Sequence, residues 1–71
     1  MVGPGGSSKP PGRGDVYFEF TQIGPQMRVA AIDARTGTEV IVITPVTASQ
    51  IQMQNLALAK LKRRLALGAG Q

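Results

Sequence analysis

From Asp15 onward the chain alternates apolar with polar. Val16, Phe18 and Phe20 stand against Tyr17, Glu19 and Thr21, the period-two signature of a half-buried strand. This pattern predicts a first strand over about 15–23, punctuated by Gly24-Pro25. A second strand is expected over 26–33. A third is expected over about 38–44, where Val40, Ile41, Val42 and Ile43 favour extended backbone. The connection Asp33-Ala34-Arg35-Thr36-Gly37-Thr38-Glu39 carries its own turn chemistry. Asp33 can accept from turn amides, and Gly37 can take the positive φ that closes a type I turn with a bulge.

The two turns set a register that can be checked against the apolar pattern. A two-residue loop at Gly24-Pro25 places Phe20 opposite Val29 and Phe18 opposite Ala31. A four-residue loop at Ala34 to Gly37 places Val29 opposite Val42 and Ala31 opposite Val40. Both assignments put Val16, Phe18, Phe20, Met27, Val29, Ala31, Val40 and Val42 on one face, as a specified register requires.

Pro45 ends the third strand. Beyond it Thr47 is expected to cap a helix, with Gln50 completing a capping box and Val46 and Ile51 forming a staple. The helix is predicted over about 48–67, stopped by Gly68. At about 100° per residue, Ile51, Gln54, Leu58, Leu61 and Leu65 fall on one stripe, with Ala57 beside it. The fold class predicted is α+β: a three-stranded antiparallel β-meander packed on one C-terminal helix. Residues 1–14 hold five Gly, three Pro and two Ser and are expected to form a disordered arm. Residues 68–71 read as a flexible tail. The tripeptide Arg13-Gly14-Asp15 matches an integrin motif and is read as coincidence.

Composition narrows the chemistry. The 71 residues include no cysteine and no histidine, which removes disulfides, thiolate metal sites, cysteine nucleophiles and the commonest general base. A Ser-Lys pair is conceivable, but Ser49, the serine of the folded part, sits at a helix start, where capping explains it. Glu19 and Glu39 share a face on strands separated by the middle one, without a cleft. No catalytic, cofactor-binding or metal-binding residues are assigned, and no small-molecule substrate is expected. There is no export signal and no apolar run of about 20 residues, so a bacterial-type cytoplasmic protein without membrane attachment is expected.

Net charge is +4, and the excess sits at the two ends. Lys9 and Arg13 belong to the arm; Lys60, Lys62, Arg63 and Arg64 end the helix, where cations oppose its dipole. Between them Arg28 and Arg35 are outnumbered by Asp15, Glu19, Asp33 and Glu39.

Three stretches in order carry a resemblance: Val16-Tyr17-Phe18-Glu19-Phe20, then Val29 to Val40 with Ala31-Ile32-Asp33-Ala34-Arg35-Thr36-Gly37-Thr38-Glu39, then Leu56 to Leu65 with Lys60-Leu61-Lys62-Arg63-Arg64. Over roughly residues 13–66 the chain resembles a small alphaproteobacterial family of uncharacterised domains. That resemblance implies a complete small protein ending soon after its helix. It transfers no activity, ligand or functional residue.

The remaining face of the sheet is the anomaly. The register sets Tyr17, Ile32 and Glu39 in one row, Glu19, Ala30 and Ile41 in the next, and Thr21, Arg28 and Ile43 in the third. A solvated face should read polar, and one helix covers one face. Off the helix stripe, Met53, Leu56 and Leu67 are also left over. The sequence therefore points to a non-enzymatic interaction module, a homodimer or else a partner of another protein. Its expected contact residues are Tyr17, Ile32, Ile41 and Ile43, with Met53 and Leu56 as a second patch. The alternative is a nucleic-acid-binding accessory protein using Lys60, Lys62, Arg63, Arg64 and the basic arm. Against that, the open face offers phosphate only Arg28 and stacks no aromatic pair.

Overall fold

In a computed structural model of the protein, described here over residues 15–68, β1 (Val16–Ile23), β2 (Gln26–Asp33) and β3 (Glu39–Pro45) precede one helix, α1 (Gln50–Gly68). The strands form a single antiparallel sheet in the order β1-β2-β3, an α+β architecture. Phe20 pairs with Val29 and Phe18 with Ala31, while Val29 pairs with Val42 and Ala31 with Val40. This is the register expected from the turns. The expected arm over 1–14 and residues 69–71 of the expected tail lie outside the described residues; Gly68 closes the helix.

Each turn has a physical cause. Gly24 has φ 58° and Pro25 a negative φ; a positive angle at the first central position alone marks a II′ turn, which matches the twist of the flanking strands. At the second turn Asp33 Oδ2 accepts from the Thr36 amide at 2.9 Å and the Thr36 hydroxyl at 2.7 Å. The Gly37 amide donates to the Asp33 carbonyl at 2.7 Å, at a φ of 78°. The Asp33 amide donates to the Thr38 carbonyl at 2.8 Å, closing the bulged hairpin.

The helix begins two residues later than the pattern suggests. Ser49, not Thr47, is the cap. The Gln52 amide donates to Ser49 Oγ at 3.1 Å, and Gln52 Oε1 accepts from the Ser49 amide at 2.9 Å. That reciprocal pair is a capping box. Proline ends the strand, and the Ala48 amide donates to the Pro45 carbonyl at 3.1 Å, so residues 45–48 form a turn that postpones the first helical turn. The apolar staple moves with the cap: Ala48 and Met53, rather than Val46 and Ile51, join the core.

The core lies between the helix and one sheet face. Val29, Ala31, Val40, Met53, Ala57 and Leu61 are buried, with Val16, Phe18, Met27, Val42, Ala48 and Leu65 packed around them. Relative to the expected stripe the inward face is rotated. Met53 turns in, while Ile51 is 64% exposed. Ala57, with no exposed surface, lies between Met53 and Leu61 on the helix line that packs into the core. The helix lies over β2 and β3, leaving β1 at the margin and Phe20 36% exposed.

Candidate functional site

The helix covers one sheet face, and the other face is presented outward. Its rows are Tyr17-Ile32-Glu39, Glu19-Ala30-Ile41 and Thr21-Arg28-Ile43. A fourth row, Ile23-Gln26-Pro45, closes the sheet at the first turn. Tyr17, Ile23 and Ile43 are well exposed, and Ile32, Ile41 and Arg28 are half-buried. Ala30 has no exposed surface, since its methyl lies at the floor of the middle strand between two longer cross-strand neighbours. The face is a shallow apolar field with Glu19, Glu39 and Arg28 set within it.

Of the expected contact residues, Tyr17, Ile32, Ile41 and Ile43 share this face. Met53 does not join Leu56 in a second patch. It is 4% exposed and belongs to the core, because the helix turns that side toward the sheet. Leu56 is 54% exposed and lines a groove with Ile43, Thr44, Pro45, Ala48, Gln52 and Asn55, between the end of β3 and the helix. Ile23, missing from the expected set, was legible in principle, since it continues the parity of Tyr17, Glu19 and Thr21.

The basic residues of the helix do not form one surface. At about 100° per residue, Lys60 and Lys62 point to opposite sides. Lys60 Nζ donates to the Ile41 carbonyl at 2.7 Å, toward β3. Lys62 lies on the β1 side, beside a hollow lined by Asp15, Val16, Phe18, Asp33, Leu58, Leu61 and Leu65. Arg63 and Arg64 are exposed beyond them. The helix carries no acidic residue at all.

Among the described residues no three His, Cys, Asp or Glu side chains come together as a metal site. No helix among them is long and apolar enough to cross a membrane. Residues 13–68 match a family described as a domain of unknown function, DUF6898. The chain belongs to the DUF6898 family. The match spans every strand and the helix, so the outward face and the cationic helix lie wholly within the DUF6898 domain. No curated protein and no solved structure matches the chain.

Proposed function

We propose that this DUF6898 chain is a non-enzymatic, cytoplasmic interaction module that pairs with a second copy of itself through the outward sheet face. The observation that carries this reading is the composition of that face: Tyr17 and Ile43 are 42% and 53% exposed beside half-buried Ile32 and Ile41, where a solvated sheet would be polar. Charge selects between the two candidate surfaces. The outward face holds both signs, in Glu19, Glu39 and Arg28, so two copies can meet with acids near a base. The exposed flank of the helix holds Lys60, Arg63 and Arg64 with no acid, and two such flanks repel.

Size sets the strength. Strands of seven or eight residues, about 3.3 Å each and about 4.8 Å apart, give three strands a field of roughly 400 Å². A standard interface takes about 800 Å² per partner, so this pairing is expected to be weak and reversible. Sedimentation of the full chain tests it. The mass should rise from 7.5 kDa toward twice that value as concentration climbs from about 10 μM to about 1 mM. Ile43→Lys should hold the chain at the lower mass with unchanged circular dichroism. A single mass of 7.5 kDa across the range overturns the reading. Salt-sensitive retention on duplex or single-stranded nucleic acid, lost on reversing Arg63 and Arg64, would support the alternative.

A further inference from the structure

The sheet also ends in a usable edge. In antiparallel sheets alternate residues turn their amide and carbonyl to the neighbour on one side. The bond from the Asp33 amide to the Thr38 carbonyl sets the phase, so Val40, Val42 and Thr44 bond toward β2. Glu39, Ile41 and Ile43 turn theirs outward, along the edge of β3 that no described strand pairs. The Ile41 carbonyl on that edge is held by Lys60 Nζ at 2.7 Å. Beside it runs the apolar groove of Ile43, Ala48 and Leu56. Leu56, Lys60, Arg63 and Arg64 recur at helical spacing on the flank above, and nothing on the helix is acidic.

From this juxtaposition we infer that the β3 edge accepts an extended peptide from another protein as a fourth, antiparallel strand. The peptide carries a carboxylate on the helix side, at Lys60, and an apolar residue two positions away, at the groove of Ala48 and Leu56. Strand addition supplies backbone bonds and reads alternate side chains. The carboxylate takes over the ammonium that now rests on the Ile41 carbonyl, freeing that oxygen for an incoming amide. A charged partner is shorter-bonded and stronger than a neutral carbonyl.

The described strands of the chain do not supply this ligand. On their helix side β1 offers Val16, Phe18, Phe20 and Gln22, and β3 offers Val40, Val42 and Thr44. None is acidic. An incoming copy would leave Lys60 stripped of its carbonyl and given nothing in return. The edge lies in the plane of the sheet, so its use is independent of pairing through the outward face.

The test uses the full chain and the probe acetyl-Thr-Leu-Thr-Glu-Thr-Leu-Thr-amide, docked antiparallel to β3 as the strands of the sheet are to one another. Its threonines face outward and form the backbone bonds, while its glutamate and leucines face the helix. Amide cross-peaks from the probe to Ile41 and Ile43 are expected, with the lysine-centred version binding at least about tenfold more weakly. Methylating the threonine amides should abolish binding. Lys60→Gln should remove the preference for glutamate while the fold is retained. The inference is overturned if the glutamate and lysine probes bind alike, if the methylated probe binds as well as its parent, or if the perturbed amides belong to Tyr17, Ile32 and their row. It is equally overturned by no binding. None of these outcomes alters the sedimentation result for the outward face.

Discussion

Helix rotation about its own axis decides which residues stabilise this fold, and Met53 and Ile51 separate the possibilities, lying about 200° apart. Met53 is 4% exposed within the core, so Met53→Ala deletes three heavy atoms from a packed site and should cost about 2–5 kcal/mol. Ile51 is 64% exposed, so only about a third of a side-chain burial worth about 1.5–3 kcal/mol is at stake. Alanine's better helix propensity returns about 0.4 kcal/mol. Ile51→Ala should therefore cost less than about 0.5 kcal/mol. A chain of this size has roughly 3–8 kcal/mol in all, so the first variant stands near unfolding and the second is nearly unchanged. Urea titration followed by circular dichroism reads the difference, at concentrations dilute enough that self-association adds nothing. With a slope near 1 kcal/mol per molar, the midpoint should fall by about 2 M or more for Met53→Ala and by under about 0.5 M for Ile51→Ala. Equal costs, or the reverse order, would refute the packing described.

Three further outcomes follow from named contacts. Ser49→Ala removes the hydroxyl that accepts from Gln52 and should cost about 1 kcal/mol in thermal unfolding, whereas Thr47→Ala should be nearly neutral. Gly37→Ala meets no atom within 4 Å but keeps a φ of +78°, so its cost, about 1–2 kcal/mol by denaturant titration, is backbone strain alone. Ile43→Ala truncates a residue 53% exposed in the single chain; burying that half is worth about 1 kcal/mol, counted twice in a symmetric pair, so the dimer dissociation constant read by sedimentation should rise about 30-fold.

The strands were legible because two turns, each with its own chemistry, had to agree with one apolar pattern. Asp33 and Gly37 at one end, Gly24 at the other, leave a single register that buries Phe18, Val29 and Val42 together. The helix had no such cross-check. Apolar residues from Ile51 to Leu67 lie almost all around it, so several rotations bury a comparable stripe. The deciding signal was Ala57, four residues from both Met53 and Leu61: a small residue between two large ones marks the line where the helix touches the sheet. Weighting leucines and isoleucines above alanine hides it. The helix start misled for a related reason. Thr47 and Ser49 both begin an acceptable capping box, with Gln50 and Gln52, and the choice was made by the turn after Pro45, whose carbonyl takes the Ala48 amide.

The surfaces of this small fold differ in what they can meet without runaway assembly. The pairing proposed through the outward face is symmetric: the same patch would serve both copies, so it would close at two. Pairing of one copy's β1 with another's β3 is head-to-tail, leaves a free edge at each end, and grows without limit. Lys60 lies across that second route, with its ammonium on the one edge carbonyl an incoming strand most needs. The penalty for dislodging it is general, and only a ligand that brings its own carboxylate to the helix side escapes it. On the proposed reading, one lysine excludes the chain's own strands and selects an acidic partner by a single interaction. The same basic flank opposes self-packing of the helices. What suits the outward face to a second copy is the presence of Arg28 on the same face as Glu19 and Glu39, and what suits the β3 edge to a foreign strand is the lack of any acid on α1.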